Sequence, residues 1–214
     1  VKLMAKSPLT SNLALPESAY PSQLESETPQ TITLLFTNGE LTALDGIERT
    51  PELNIQMLDQ IASKYAIGRD VHVGDTIVGI KGRVGFEAAA ALIIVKAHHL
   101  LEKHTLTKWQ LQHKDYLSNF YGMHLHEGQY LDPVMRDMEA FLASSQHNVS
   151  GTVEIVLKPY HFLINGITSP HDLMNAKFGS YGEVNSGWTA EEAKGFIKIN
   201  GNQNRIHQLV NSEL

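Results

Sequence analysis

One glycine-rich stretch, residues 68–101, constrains what this chain can fold into more than any other part of the sequence. It reads GRDVHVGDTIVGIKGRVGFEAAAALIIVKAHHLL. The apolar, β-branched run at 76–80 is bounded by glycine, a pattern that favours a short buried strand. Residues 68–75 and 81–85 are then predicted to be loops, and the long apolar run that follows predicts a helix starting near Phe86.

This predicted joint of strand, glycine loop and helix can hold an anion. Gly82 and Gly85 flank Arg83, so the backbone there can turn sharply or approach a ligand closely. The helix start leaves backbone N–H groups beside Lys81 and Arg83, which together can receive a carboxylate. The same pattern is also typical of an ordinary structural joint, in which Glu87 only stabilises the first turn of the helix.

Composition and charge exclude several kinds of site and partner. The 214-residue chain has a formal net charge of -6 and no cysteine. Disulfides, thiolate zinc sites and cysteine nucleophiles are therefore excluded, and broad binding to a nucleic-acid backbone is disfavoured. The apolar runs are shorter than the roughly 20 residues that a membrane-spanning helix needs. We expect neither a nucleic-acid nor a membrane partner.

The N-terminal part of the chain predicts a connector followed by a hairpin. Residues 9–29 are rich in serine, threonine and proline and predict an extended connector, ordered only where another surface holds it. Residues 31–36 and 40–44 predict two strands joined by a tight turn at Asn38–Gly39. Asp45–Gly46 is predicted to end the second strand.

A helix is predicted from Pro51 to about residue 66, with Thr50 as its N-cap and Gly68 as its stop. Its buried face is predicted from recurring apolar residues, which are Leu53, Met57, Leu58, Ile61 and Tyr65.

Two more helices are predicted, at 86–104 and 108–122. The first is apolar on most of its circumference and belongs in a core or a subunit interface, where His98 and His99 are interpreted as hydrogen-bonding residues. The second has a stripe that is more typical of packing than of base stacking, formed by Trp109, His113, Tyr116 and Phe120. No metal site is predicted at the nearby pair His124 and His126, because side chains two residues apart diverge on a helix.

The remaining elements alternate between helix and hairpin. Asp132–Pro133 is predicted to cap a helix to residue 145, with an inward face formed by Val134, Met138, Phe141 and Leu142. Residues 152–157 and 161–164 predict a second hairpin, closed by Asn165–Gly166. The prediction ends with a short helix at 171–177 and a loop at 178–189. A helix then runs from the capping box of Thr189 and Glu192 to residue 196, and a helical tail follows at 204–210.

Strands grouped in hairpins with helices between them predict the α+β class. We expect a mainly antiparallel sheet, built from two separated hairpins plus a short central strand and packed with long helices. The predicted organisation is a connector at 1–29, a catalytic and multimerisation domain at 30–200, and a C-terminal helical tail at 201–214.

Several segments also resemble one enzyme family in the same order. They are TSNLALPESAYP at residues 10–21, the run at 68–87, SGTVEI at 150–155 and EAKGFIKI at 192–199. From about residue 9 onward the chain resembles the second half of argininosuccinate synthase, the substrate-binding and multimerisation domain. The family's SGGxDTS pyrophosphate loop has no counterpart in this sequence.

The resemblance implies ATP-dependent joining of citrulline and aspartate in arginine biosynthesis, in a cytoplasmic homotetramer. ATP with magnesium is then expected in the full-length enzyme, whereas these 214 residues alone are expected to bind no nucleotide and to be inactive. The citrulline-side residues carried over from the family are Gly74, Asp75, Lys81, Arg83, Phe86 and Glu87. No catalytic residue and no metal ligand is assigned.

Two of these positions depart from the family pattern. Most members have a glutamate where this chain has Gly74, and a tyrosine where it has Phe86. The glutamate pairs with the α-ammonium of citrulline. One explanation is a divergent subfamily in which Asp75 or Glu87 takes over that role. Another is an N-acylated citrulline, because a buried carboxylate facing a neutral amide is costly.

A different reading of the whole chain is that it serves mainly as an oligomerisation module.

Overall fold

The computed structural model describes residues 12–175 and 187–212. The strands are β1 (Gln30–Thr37), β2 (Glu40–Leu44), β3 (Ile47–Glu48), β4 (Arg69–Asp75), β5 (Lys81–Glu87), β6 (Gly151–Lys158) and β7 (His161–Thr168). The helices are α1 (Pro51–Ala62), α2 (Ala89–Thr105), α3 (Lys108–His126), α4 (Pro133–Ser145), α5 (Ala190–Asn200) and α6 (Asn202–Asn211). The chain divides into two compact units. The first ends at Leu173, and the second begins at Met174 and contains α5 and α6.

A five-stranded antiparallel sheet has the order β3-β2-β1-β6-β7. Asn38 and Gly39 make the predicted tight turn between β1 and β2, with φ values of 50° and 84°. Strand β6 comes from far along the chain and pairs with β1 from Gln30↔Leu157 to Phe36↔Gly151. The α+β class and the two separated hairpins are therefore confirmed, and both hairpins belong to one sheet.

The core lies between one face of this sheet and helices α1 and α2. Alternate residues of the central strands are buried, as period-two patterning requires; they are Ile32, Leu34, Phe36, Val153, Ile155 and Leu157. Ile93, Ala97 and Leu101 recur every four residues along α2 and are fully buried in the same cluster. The long apolar helix is thus a core helix, which is one of the two placements left open by the sequence.

The central stretch folds differently from its prediction. The predicted loops are the two strands of a separate hairpin, β4 and β5, and the predicted strand at 76–80 is the turn between them. Thr76 closes this turn by donating and accepting hydrogen bonds with the backbone of Ile80, and Gly79 takes a φ of 78°. The apolar run that indicated burial is solvent-facing: Ile77, Val78 and Ile80 are 77%, 79% and 66% exposed.

The predicted helix start near Phe86, on which the anion-binding reading depended, is consequently wrong. Helix α2 begins at Ala89, and Glu87 is the last residue of β5 and not part of the first helical turn. Lys81 is the first residue of β5, so it lies about 20 Å along the strand from Glu87. Residues at opposite ends of an extended strand cannot join one helix terminus in binding a carboxylate.

The predicted buried face of helix α1 is confirmed only in part: Tyr65, just beyond the helix, is buried and Ile61 packs against the core. Leu58 is fully buried, but Leu53 and Met57 are exposed, and the buried row is Asn54, Leu58 and Ala62. The helix ends at Ala62, a 3-10 turn follows, and the left-handed residue is Ala66, so Gly68 is not the stop. Because Asn54 is polar, a search for apolar periodicity does not identify this row as the buried one. The N-cap at Thr50 is confirmed.

Several other boundaries shift. Asp45–Gly46 ends β2 as predicted, and the short strand β3 follows it. Strand β7, by contrast, continues through Asn165–Gly166 to Thr168, with a register shift opposite Glu154/Ile155. Helix α3 extends to His126, and its predicted packing stripe is on the surface, since Trp109, Tyr116 and Phe120 are exposed. The predicted short helix at 171–177 and the predicted loop at 178–189 fall partly outside the described residues, which omit 176–186. In the described part, a 3-10 turn covers Leu173–Asn175.

Other predictions are confirmed. Helix α4 begins at Pro133, is capped by Asp132 and ends at Ser145. Of its predicted inward face, Met138 is buried, whereas Val134, Phe141 and Leu142 are half-buried. Met135, which was not predicted to face inward, is also buried. Thr189 and Glu192 form the predicted capping box of α5.

A buried carboxylate ties α2, α3 and α4 together. Glu102 has no exposed surface, and its Oε2 accepts a hydrogen bond from Lys114 Nζ at 2.8 Å. Its Oε1 accepts one from Gln146 Nε2 at 2.9 Å. His98 Nδ1 and His99 Nδ1 lie 3.7 and 3.5 Å from the same carboxylate. Partners on every side are needed because an unpaired buried charge is strongly destabilising.

Burial lowers the pKa of His98 below its ordinary value, although the charge of Glu102 opposes this shift. The ring also packs edge-on against Phe36, with 5.4 Å between ring centres. His98 is therefore held neutral in the folded protein at pH values where an unfolded chain would bind a proton.

We expect Gly68→Ala to destabilise the fold far more than Gly46→Ala. Both glycines have positive φ, 90° and 73°. A Cβ at Gly68 would overlap the backbone of Ala89, whereas nothing lies within 4 Å of a Cβ at Gly46. The first change should lower the free energy of unfolding by about 3 kcal/mol or more and the second by about 1 kcal/mol. Chemical denaturation measures both, and equal losses would contradict the packing of α2 against Gly68.

We expect His98→Gln to reduce the loss of stability on acidification. Because the folded-state pKa of His98 is lowered, the unfolded chain binds more protons, so the free energy of unfolding falls as pH drops through the ordinary histidine range. Glu102, Lys114, His99 and Gln146 face this ring and stay in place in the variant. Urea denaturation at pH 7.5 and 5.5 measures the effect, with the exposed His147→Gln as control. Equal pH dependence in all three proteins would contradict the burial argument.

Candidate functional site

The β4–β5 hairpin carries all six sequence-predicted site residues, but on two opposite faces. Paired residues of an antiparallel hairpin share a face, and successive residues alternate between faces. The pairs Asp75↔Lys81, Val73↔Arg83 and Arg69↔Glu87 lie on one face. The pairs Gly74↔Gly82 and Asp70↔Phe86 lie on the other. Asp75, Lys81, Arg83 and Glu87 are therefore separated from Gly74 and Phe86 by the hairpin backbone.

The N-terminal segment at residues 12–26, here called the strap, lies against the first of these faces, here called the strap face. Arg83 Nη1 donates a hydrogen bond to the carbonyl oxygen of Leu13 at 2.8 Å. The side chain of Leu15 fills the space beside Gly85, where any Cβ would overlap Leu15 Cδ1. At its far end, the backbone N–H groups of Glu25 and Ser26 donate to the carbonyl oxygen of Lys64. The predicted connector is thus held by the chain's own surface.

Arg69 joins the strap to the hairpin through all its donor atoms. Its Nη1 donates to Glu17 Oε1 at 2.5 Å, and its Nη2 donates to the carbonyl oxygen of Ser22 at 2.5 Å. Its Nε donates to Glu87 Oε2 at 3.3 Å. One planar guanidinium therefore bridges two points on the strap and one on β5, which a lysine ammonium does less well.

Aromatic rings and carboxylates together stabilise the charge of Arg69. The guanidinium carbon lies 4.6 Å from the ring centre of Tyr20 and 5.6 Å from that of Tyr160. Burial by itself lowers the pKa of Arg69, but the hydrogen bonds and charges of Glu17 and Glu87 outweigh it, and the net shift is upward. These contacts therefore stabilise the protonated form of Arg69.

Glu87 is engaged by the chain itself. Its side chain is only 7% exposed, and its carboxylate also accepts hydrogen bonds from the backbone N–H of Ser22 at 3.3 and 3.4 Å. On the same face Lys81 and Asp75 form an exposed ion pair, with 2.7 Å between Nζ and Oδ1. Exposed pairs of this kind exchange readily with other partners, whereas the buried Glu87 does not.

The opposite face, here called the open face, has a glycine floor at its turn end, where one residue pair has no side chains. Gly74 pairs with Gly82, and nothing lies within 4 Å of a Cβ at Gly82. A Cβ at Gly74 would lie 2.6 Å from His72 Nε2, so this imidazole covers the glycine. Phe86 stands on the same face, half-buried. Along this face the glycine pair comes first from the turn end, His72 and Val84 come next, and Phe86 and Asp70 lie at the base.

Sequence reasoning missed Arg69 and His72 because it assigned residues 68–75 to a loop, which has no faces. The alternation of His72 and Gly74 within a strand would have placed them together. Arg69 contacts the strap in space but lies far from it in sequence, so no local sequence pattern indicates this contact.

The N-terminal unit also contains two cavities. One of about 720 Å³ is lined by residues that include Phe36, Ile94, His99 and Asp115. Beside it the ligating atoms of His99, Glu102 and Asp115 lie within 4.8 Å of one another, but Lys114 Nζ already holds Glu102 at 2.8 Å. The second cavity, of about 570 Å³, lies beside Arg69 and Tyr160.

Within the described residues, the helices are all too short or too polar to cross a membrane.

Comparison with known proteins identifies the relatives of this chain. The family model described as the arginosuccinate synthase C-terminal domain matches residues 15–207. The argininosuccinate synthase of Xanthomonas campestris pv. campestris is 37% identical over 92% of this chain and 48% of that protein. Those of Dictyoglomus turgidum and Bacillus pumilus are 36% and 31% identical, over 91% and 94% of this chain and 49% and 50% of their own lengths.

The chain thus spans about half the length of the curated relatives it matches. The family match runs from the strap, through the hairpin and the sheet, into α6. On this agreement over almost the whole sequence, the chain belongs to the argininosuccinate synthase family, whose C-terminal domain it represents.

Proposed function

We propose that this chain forms the amino-acid-binding and self-associating part of an enzyme that joins citrulline to aspartate. The observation that carries the proposal is the family match over residues 15–207, which includes the strap and the β4–β5 hairpin. ATP with magnesium adenylylates the ureido oxygen of citrulline and releases pyrophosphate, and the amine of aspartate then displaces AMP. We assign nucleotide binding to a part of the enzyme outside these 214 residues, which would alone be inactive.

The open face of the hairpin is the surface we assign to the amino-acid end of citrulline. Gly74 and Phe86, two positions carried over from the family, lie on it together with His72. The backbone there can approach a ligand closely because Gly74 and Gly82 have no side chains. The exposed pair Lys81 and Asp75 stands at the turn end of the strap face and can contact only a ligand that reaches around the edge of the hairpin.

An N-acylated citrulline is the second candidate substrate, and the register of the hairpin favours it. Asp75 and Glu87 were the two residues that could replace the missing carboxylate at Gly74, but both lie on the strap face. Asp70 is on the open face, about 13 Å along the strand from Gly74, and its carboxylate accepts a hydrogen bond from the backbone of Val71 at 2.7 Å. A neutral amide needs no carboxylate partner beside Gly74.

We also propose that the chain assembles into a homo-oligomer, a tetramer in the resemblance drawn above, in the cytoplasm. Exposed aromatic residues follow one side of α3, and exposed apolar residues are frequent on α5 and α6; they are Phe196, Ile197, Ile199, Ile206, Leu209 and Val210. Apolar helix surfaces of this extent are typical of protein interfaces. This supports a role in assembly alongside substrate binding, as one part of the same enzyme.

We expect the gene product, expressed from its natural start, to release AMP and pyrophosphate from ATP only when both aspartate and a citrulline are present. Pyrophosphate release measured with citrulline, N-acetylcitrulline and N-succinylcitrulline identifies the substrate. The 214-residue chain alone should show no release. ATP consumption that ignores aspartate, or turnover by the isolated chain, would contradict the proposal.

We expect Gly74→Glu to shift preference toward free citrulline, because it places a carboxylate on the open face. The ratio of kcat/KM for citrulline over N-acetylcitrulline should rise about tenfold, the effect of roughly 1.4 kcal/mol of differential interaction. His72, whose ring end lies nearest the new side chain, is exposed and can move aside. Val84→Glu, on the same face and exposed, is the matched control. An equal change in both variants would point to a general charge effect and against a specific role for position 74.

A further inference from the structure

We propose that Arg69 is a positioning residue, which holds the strap on one face of the hairpin and so fixes the open face for the amino-acid substrate. The inference rests on the proposed function. It also gives Arg83 and Glu87 a different role from the one carried over from the family: they anchor the strap, and the substrate contacts lie at Gly74, Phe86 and His72.

The first support is the burial of the charged groups. The side chains of Arg69 and Glu87 are 10% and 7% exposed, so these opposite charges are nearly removed from water. Every donor nitrogen of Arg69 is directed at a strap or hairpin oxygen. Loss of the guanidinium leaves the Glu87 carboxylate buried with only the backbone N–H of Ser22, a weaker partner.

The second support is the place of this cluster in the hairpin. Arg69 is the first residue of β4, Glu87 is the last residue of β5, and the two are directly paired. Beyond this pair the chain enters α2 and the core, so the pair forms the base of the hairpin. The base lies about 17 Å along β5 from Gly82. A tilt of about 4° at the base therefore moves the glycine floor by about 1 Å, enough to weaken a well-placed substrate contact.

The third support is the fit of the strap along the same face. Leu13 accepts a hydrogen bond from Arg83, and Leu15 occupies the notch left by Gly85. Together with Arg69 these contacts cover the strap face from Arg83 to Glu87. A substrate that approaches the hairpin meets the strap on that side, and on the other side the glycine floor of Gly74 and Gly82 beside the His72 imidazole.

The test compares Arg69→Met, Arg69→Lys and the control Arg136→Met in the gene product expressed from its natural start. Arg136 likewise pairs with a carboxylate, on Glu139, and lies 4.3 Å from the ring centre of Tyr130, but it belongs to α4. Arg69→Met should raise the KM for the citrulline substrate about tenfold and leave the KM for ATP within about twofold. Arg69→Lys should recover part of the loss, because a lysine can still pair with Glu87.

Hydrogen–deuterium exchange of residues 13–22 reports on the strap itself. Exchange should be faster in Arg69→Met than in Arg136→Met. A strap that exchanges as slowly as in the unchanged protein would overturn the proposal. So would a strap that loosens while both KM values and kcat stay the same, because Arg69 would then be merely structural.

Gly85→Ala provides a second route that leaves Arg69 and its ion pairs intact. The new methyl group would overlap Leu15 Cδ1 and push the strap outward. Faster strap exchange and a raised KM for citrulline are expected, and the double variant Leu15→Ala/Gly85→Ala should lower both again. Absence of this recovery would count against the strap as the cause.

The failure of the proposed function is distinguishable from the failure of this inference. If the unchanged protein consumes no ATP with any citrulline, the proposed function fails, and the exchange data still decide whether Arg69 holds the strap. If the protein is active and Arg69→Met changes only exchange, the positioning role alone fails.

Discussion

The pairing of β1 with β6 is the interaction on which the rest of the structure depends. It joins Gln30 to Leu157 and Phe36 to Gly151 across more than half of the sequence. Without it the two hairpins would be isolated ribbons, which are marginally stable in water. With it, the alternate residues of both strands form one apolar surface, and α1 and α2 can cover that surface. The β4–β5 hairpin gains its fixed position from this core, because its two ends lead into α1 and α2.

Much of this fold could be predicted from local chemistry. The turn at Asn38–Gly39, the caps at Thr50, Asp132 and Thr189, and the apolar helix α2 all have strong local signals. The prediction failed at 68–87, where strands with glycine and charged residues surround an apolar turn. Strand pairing depends on backbone hydrogen bonds that any of these residues can make, so hydrophobicity was a misleading guide there.

The candidate site shows the same limit in a sharper form. The six residues carried over by resemblance lie on one hairpin, whereas the sequence analysis had divided them between loops and the start of a helix. Their division between two faces was not predictable once the strands had been taken for loops. The partnership of Arg69 with Glu17 and Ser22 joins segments about 50 residues apart, and composition and periodicity contain no information about such a contact.

Strand β7 forms one edge of the five-stranded sheet, and the extra residue near Asn165–Gly166 interrupts its register. A regular edge strand offers a row of unpaired amide and carbonyl groups on which another extended chain can grow. The bulge bends this edge and breaks that row. The irregularity therefore makes this edge a poor template for the addition of a further strand.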